Sequence, residues 1–330
     1  MKRTTINDLA KACGISKSTV SRALTQKGYV SEEVALKINN MAKEMNYIPQ
    51  KSHNKNIKDM VMVISCQLSS EAQVILSSSI SSALSRKNIK TVIAPCEFGS
   101  NLVFEYIDYA REKNFGGLIL LGALETKELK RALASLSCPI VLLNQDIDYL
   151  ETSSVVIDDY RCSYNSVRYL IENNHQKIAF LSGQENASAI KDRFSAYLDC
   201  MRDYRLKPEA IFKDFDKHSG AEFAEYLKQN SFPYTALIVA TDEILNGFLY
   251  QAKKLNISIP DDISIISYGD TIGTQTFNPP ITVIDYNFAL MGEQLAELLL
   301  HKLEKPFSKP RKIINKPELI KRESVKKINP

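Results

Sequence analysis

Two hydrophobic rhythms divide this chain of 330 residues. In the N-terminal part, apolar side chains recur at spacings of three and four. Val20 and Leu24 form one such set, and Val34, Ile38, Met41, Ala42 and Met45 form another. That period predicts short amphipathic helices sharing a small core. From Met60 onward the pattern changes to brief continuous apolar runs, MVMVIS, TVIAP, GGLILLG, PIVLLN, VVIDD, KIAFLS, ALIVA and SIISYG. Amphipathic stretches such as 71–87 and 101–113 separate them. Buried strands alternating with helices produce this pattern, which predicts a parallel α/β architecture in two similar lobes.

The helix boundaries in the N-terminal part follow from side-chain chemistry. Thr5, with Asp8 three residues on, can cap a helix over roughly 6–13. Cys13-Gly14-Ile15-Ser16 then supplies a tight turn, with Gly14 free to take positive φ and Ser16 free to cap a second helix from Lys17. Ser31 opens a third. Two short helices around a glycine turn are the helix-turn-helix pattern. Burying Val20 and Leu24 leaves Lys17, Ser18, Ser21 and Arg22 on outward faces. Arg22 can present two N–H donors to guanine O6 and N7, Lys17 a single charge, and the hydroxyls can bind phosphates. The plain alternative is a solvated charged face.

Charge sharpens the choice. Residues 1–58 carry eleven basic and four acidic side chains, and the rest of the chain carries 31 basic against 34 acidic. The positive excess is confined to the segment that would meet phosphates. Apolar content of 44% and charged content of 24% are those of an ordinary globular protein. No apolar run is long enough to span a bilayer or to act as a signal segment, so a cytoplasmic protein is expected. The six cysteines and four histidines show no metal-ligand spacing. Reduced, packed thiols and no metal or other cofactor are expected.

The segments TINDLAKACGISKSTVSRALTQKGYVS and NYIP resemble the N-terminal signature of the lactose and galactose repressor (LacI/GalR) family, and the resemblance continues to the C-terminus. It implies an α helix-turn-helix headpiece followed by an α/β, two-lobed core like that of periplasmic binding proteins, with parallel sheets. The headpiece would span 1–48 and a hinge 49–59. The N-terminal lobe would span 60–158 and 287–315, and the C-terminal lobe 159–286 and 316–330. The chain would cross between lobes near Asp158–Tyr160, near Tyr286, and before a last strand in KPELIKRES. The resemblance places Lys17, Ser18 and Arg22 at base-reading positions. Thr5, Ser16, Thr19, Ser21, Ser31 and Tyr47 fall where the family contacts phosphates or braces its helices.

The hinge departs from the family pattern. Gln50, His53 and Asn56 stand where an asparagine, an alanine and a minor-groove leucine are usual. An amide cannot unstack a base step as an apolar wedge does, so either the operator is bent less or Ile57 serves as the wedge.

For the effector, the resemblance places Arg193 where relatives grip their ligand, and a guanidinium fork suits vicinal hydroxyls, a carboxylate or a phosphate. Thr241 replaces the usual asparagine, and Asp242 either caps the next helix or reaches a ligand. Gly269 stands where an aspartate is common, leaving Asp270 one position late. Ser69, Ser70 and Glu71 should open a helix at the cleft, as ligand contacts or as caps. Asn174 and Asn256 replace glycines in turns, where asparagine tolerates left-handed geometry.

The expected function is a homodimeric, sequence-specific repressor of a carbohydrate-utilisation operon. Its partners would be a palindromic operator in double-stranded DNA and a sugar or sugar phosphate bound between the lobes. A leucine-heptad tetramer is not expected from SVKKINP. The rivals are an α/β enzyme acting on a sugar or nucleotide, and a ligand-sensing protein without DNA function. No phosphate-loop fingerprint, Gly-x-Ser-x-Gly elbow or nucleophile–base pair supports the enzyme.

Overall fold

Thr5 opens the first helix with a reciprocal cap. Its hydroxyl accepts the Asp8 backbone N–H, and the Asp8 carboxylate accepts the Thr5 backbone N–H at 2.9 Å. The computed structural model describes residues 5–25, 29–45, 47, 59–145, 147, 150, 152–183 and 188–329. The chain divides into two units, Met1–Asn56 and Ile57–Pro330. The hinge positions Gln50, His53, Asn56 and Ile57 lie outside the described residues.

The first unit holds α1 (Ile6–Cys13), α2 (Lys17–Thr25) and α3 (Glu32–Glu44). Gly14 takes φ +67°, so α1 ends in the left-handed turn that its sequence predicts. Leu9, Cys13, Val20, Ala23, Ile38 and Ala42 form the buried centre. Leu24, Val34, Met41 and Met45 pack around it, half-buried.

In the second unit the chain lays down β1 (Met60–Cys66), α4 (Glu71–Ser85), β2 (Lys90–Cys96), α5 (Leu102–Glu112), β3 (Gly117–Leu121), α6 (Lys127–Ala134), β4 (Ile140–Leu143) and β5 (Ser153–Ile157). There follow α7 (Asp159–Glu172), β6 (Ile178–Ser182), α8 (Ser188–Asp203), β7 (Glu209–Phe212), α9 (Lys217–Gln229), β8 (Ala236–Val239), α10 (Asp242–Lys254), β9 (Ser264–Tyr268), α11 (Ile272–Thr276) and β10 (Thr282–Asp285). Then come α12 (Phe288–Glu304), β11 (Lys312–Asn315) and β12 (Glu318–Ile320).

Two six-stranded sheets result, ordered β11-β5-β4-β3-β1-β2 and β12-β10-β9-β8-β6-β7. Every pairing is parallel except β10 with β12, which is antiparallel. The exception has a simple cause. β11 runs parallel in the first sheet, and only residues 316 and 317 separate it from β12. So short a connection enters the second sheet at the end where β11 finished, so β12 must run back along it.

α12 returns to the first lobe and lies against α4. At Gly292 a Cβ would stand 2.7 Å from Ser79 Cβ and 2.9 Å from the Leu76 carbonyl oxygen, so the close helix approach requires glycine there. Asn174 and Asn256 adopt φ +67° and +53°, the left-handed turns their residue type permits. All six cysteines are free thiols, and Cys66 Sγ lies 3.2 Å from Cys96 Sγ on registered strands. Among the described residues no helix is long and apolar enough to cross a membrane, and no cluster of three metal-binding side chains occurs.

Candidate functional site

Two sites emerge, one on each unit. On α2, Ser16, Lys17, Ser18 and Arg22 are exposed, while Thr19 and Ser21 are half-buried. Ser16 Oγ accepts the Thr19 N–H at 3.2 Å and is hydrogen-bonded to Ser18 Oγ at 2.8 Å and Thr19 Oγ1 at 2.9 Å, a hydroxyl cluster over the helix N-terminus. Such an end, with its unpaired N–H groups, is where an anion is held. Arg22 Nε donates to the Ser18 carbonyl at 3.3 Å, which aligns the guanidinium along the helix. Ser31 begins α3 without a side-chain capping bond, and the Tyr47 N–H donates to the Ala42 carbonyl at 2.8 Å. Val20 and Ala23 face the core, so α2 separates a buried face from a cationic one.

In the second unit a cavity of about 190 Å³ opens where the strands end. Residues at or just beyond the carboxyl ends of β1, β3, β4, β5, β8, β9 and β10 reach it, among them Gln67, Gly122, Asn144, Ile157, Thr241, Tyr268 and Tyr286. Ligand sites of parallel α/β sheets lie at this edge. Its walls are chiefly apolar.

Arg193 is the charged centre of the cavity and is only 8% exposed. Nε donates to Asp159 Oδ1 at 3.1 Å and Nη1 to the Ala240 carbonyl at 2.7 Å. The guanidinium carbon lies 4.4 Å from the Tyr268 ring centre and 5.3 Å from that of Tyr286. Tyr286 also donates to Asp159 Oδ1 at 2.6 Å, and Tyr268 to Ser163 at 2.7 Å. Burial pushes the Asp159 carboxyl above its ordinary range, against the pull of Arg193 and Tyr286. Its Oδ2 is buried with no hydrogen-bond partner among the described residues. The acid that pairs with Arg193 is thus Asp159 rather than the adjacent Asp192. Arg193 holds that pair and lines the cavity at once.

The other expected effector residues divide. Ser70 and Asp242 line the cavity, but they are bound to each other: Ser70 Oγ donates to both Asp242 oxygens at 3.1 and 3.0 Å. The Asp242 carboxylate also accepts the Ala72 N–H at 3.4 Å, while Thr241 caps α10. The helix that Asp242 caps is therefore α4 of the opposite lobe, not the one it begins. Ser69 is exposed and borders a neighbouring groove with Glu97 and Asp214.

Asp270 is not brought into the cavity. Its carboxylate pairs with Arg322 at 2.8 Å and accepts from Thr274 at 3.2 Å. Gly269, between Tyr268 and Asp270, takes φ +91°. Residues that sequence reasoning missed are Asp159, Asn144, Tyr268, Tyr286 and the facing Phe98 and Phe215. A signal existed for Asp159 and Tyr286, which sit at lobe crossovers, and for Tyr268, which precedes the glycine.

Further bonds join the lobes around the cavity. Gln67 Nε2 donates to the Phe215 carbonyl at 2.9 Å, the Ile272 N–H donates to Glu71 at 2.8 Å, and the Phe98 and Phe215 rings meet edge-on at 5.8 Å. Glu71 and Asp242 therefore each lend a carboxylate to a helix start on the other lobe.

A helix-turn-helix unit on the same chain as a two-lobed α/β unit with a cavity at its strand ends defines a DNA-binding regulator with an effector-binding domain. Residues 5–50 match the family described as bacterial regulatory proteins, lacI family, and residues 167–325 match the periplasmic binding protein-like domain. The HTH-type transcriptional regulator DegA of Bacillus subtilis is 27% identical over 336 residues, covering 99% of each chain. The lac repressor dimer bound to operator and the anti-inducer ONPF superposes with a TM-score of 0.75 at 22% identity, over 98% of this chain and 100% of that one. A LacI family transcriptional regulator from Enterococcus faecium, solved with bound ribose, gives 0.75 at 20% identity over 82% of this chain and 100% of its own. The chain thus joins a lacI-family regulatory segment to a periplasmic binding protein-like segment, and the relatives it resembles over its whole length are transcriptional regulators.

Proposed function

We propose that this protein is a cytoplasmic, homodimeric repressor that binds a palindromic operator through α2 of each subunit and is released or tightened by a small effector in the inter-lobe cavity. The observation that carries this reading is the cationic face of α2 within the segment that matches the family, where Lys17, Ser18 and Arg22 stand exposed beside the Ser16–Thr19 hydroxyl cluster. Lys17, Ser18 and Arg22 would read base edges, and Thr5, Ser16, Thr19, Ser21, Ser31 and Tyr47 would hold phosphates or brace the helices. One such helix reads only a few base pairs, so a two-fold dimer with half-sites about one DNA turn apart is the arrangement that yields specificity. The solved relative with operator is itself a dimer.

In the cavity, Arg193 would contact the effector, and Ser70 with Asp242 would report its presence through the bond between lobes. A ligand shifts the equilibrium between lobe arrangements only by its differential affinity for them, so an effector that competes with these cross-lobe bonds or reinforces them changes operator affinity. The family resemblance implies a carbohydrate or its phosphate as effector and a carbohydrate-utilisation operon as target.

Titration of the protein on its own promoter DNA, followed by mobility shift, tests this. A palindromic complex should form, and its affinity should fall roughly a thousandfold or more between low and moderate salt if six to ten phosphates are contacted. The pair Lys17→Ala and Arg22→Ala should abolish sequence preference. A complex indifferent to both substitutions would refute the assignment.

A further inference from the structure

We propose that the effector is a small monocarboxylate with an apolar or aromatic body, not a polyhydroxylated sugar. This rests on reading the inter-lobe cavity as the effector site. The argument is an inventory of which polar groups lining the cavity remain uncommitted. Asp242 is held by Ser70 and the Ala72 N–H. Gln73 accepts from Ser65 and donates to the Leu121 carbonyl, and Asn144 Oδ1 accepts the Ile157 N–H. The hydroxyls of Tyr268 and Tyr286 are bound to Ser163 and Asp159.

Three donors remain. Arg193 has Nε and Nη1 engaged, which leaves Nη2 without a partner among the described residues. Asn144 keeps its Nδ2 amide hydrogens. Thr241 uses a lone pair to cap Ile244, so its own proton is available. Among the described residues, the side chains lining the cavity set against these donors one carbonyl acceptor with no partner, Oε1 of Gln67, whose Nε2 is bound across the cleft, and the Asp242 carboxylate, which already takes the Ser70 proton and the Ala72 N–H. The remaining wall is Leu76, Leu143, Ile157, Ile190, Met291 and aromatic rings.

Each hydroxyl of a sugar brings a proton that must find an acceptor once water is excluded, and each unmet buried polar group costs about 1–3 kcal/mol. A site whose described side-chain acceptors, Gln67 apart, are already engaged across the cleft meets that demand poorly. A carboxylate is acceptor-only, it matches a guanidinium edge, and its apolar body would fill the ring-lined remainder. The bound anion would share Arg193 with Asp159, whose unpartnered Oδ2 is the atom able to take a compensating proton.

The test uses the full-length protein with benzoate, phenylacetate and isovalerate as probes, benzamide as the neutral isostere, and D-glucose, D-ribose and glucose phosphate as the sugar arm. Binding is read by thermal shift and equilibrium dialysis, and operator affinity is read in the same samples. At least one carboxylate should saturate, with benzamide weaker by roughly tenfold or more and the sugars inert. Asn144→Asp keeps the acceptor for the Ile157 N–H but places a negative oxygen where the donor was, so it should weaken carboxylate binding by roughly tenfold or more. Arg193→Lys, which keeps the charge beside Asp159 but loses the fork, gives the same readout if the first variant misfolds.

Saturable binding of a sugar without any carboxylate would overturn the proposal and leave the effector-controlled repressor standing, as would failure of the whole carboxylate set at millimolar concentration. Carboxylate binding that leaves operator affinity unchanged would support the ligand class and count against its regulatory role.

Discussion

The headpiece and the cavity hold their charged side chains in opposite states. On α2, Lys17 and Arg22 stand in solvent, and Arg22 donates to the backbone of its own helix. In the cavity, Arg193 is buried, stacked on two tyrosines and paired with a carboxylate, and Asp242 is fastened across the cleft. An exposed cation costs little to keep free and can be offered whole to a phosphate or base. A buried one must be compensated before any ligand arrives. The first kind of site should fail in function when mutated, and the second should fail first in stability.

The largest expected effect is at Arg193. Arg193→Ala strands Asp159 as a buried, unpaired carboxylate and should destabilise the second unit by about 3–5 kcal/mol, read as a fall in urea midpoint. Arg193→Ala together with Asp159→Asn should recover much of that loss. A single variant as stable as the parent would break the comparison, because Arg193 would then behave as an exposed cation does.

Next comes Arg22→Ala. Stability should change by no more than about 0.5 kcal/mol, as for other surface substitutions. Discrimination between the operator and a version altered at one base pair should fall by about 1–3 kcal/mol in fluorescence anisotropy. Uniform weakening on all sequences would instead make Arg22 a phosphate contact.

The same contrast explains what could be read from the chain before folding. The start of the headpiece is local: Thr5 and Asp8, Gly14, and Ser16 with Thr19 act within a few residues of one another, so spacing and residue type suffice. The core strands β1, β3, β4, β6, β8 and β9 announce themselves as apolar runs because both sheet faces are covered. The short strands β7 and β11 do not, since they lie at sheet edges and are half-exposed, nor does the four-residue β10.

The cavity was legible only in part. Resemblance points to Arg193, but its partner Asp159 lies 34 residues away. Asp242 met Ser70 across 172 residues, and Asp270 met Arg322 across 52. A carboxylate's availability depends on such distant partners, and no local spacing reveals them.

A third prediction sharpens the role of the cross-lobe bonds. Asp242→Asn retains shape but removes the charge that faces the α4 N-terminus, and should cost about 1–2 kcal/mol. Because those bonds join lobes rather than build a core, the variant should also show a larger radius of gyration in small-angle scattering. Equal scattering with equal stability would mean that Glu71, Gln67 and the Phe98–Phe215 contact hold the lobes without it.

The smallest effect tests buried compensation where no ligand is involved. His175 is fully buried, with Nδ1 3.0 Å from Thr235 Oγ1 and Nε2 3.0 Å from the Lys326 carbonyl. Burial lowers its pKa below the ordinary histidine value, outweighing the bond to the Lys326 carbonyl, which acts the other way. The folded protein therefore binds this proton less readily than the unfolded chain. The stability associated with neutral His175 is fully present above the unfolded value of about 6.5 and is lost as pH falls below it, at no more than about 1.4 kcal/mol per pH unit. Urea midpoints between neutral and mildly acidic pH should fall more steeply for the parent than for His175→Gln, which cannot titrate. Parallel slopes would show that this imidazole meets protons as freely as the side chains of the headpiece meet solvent.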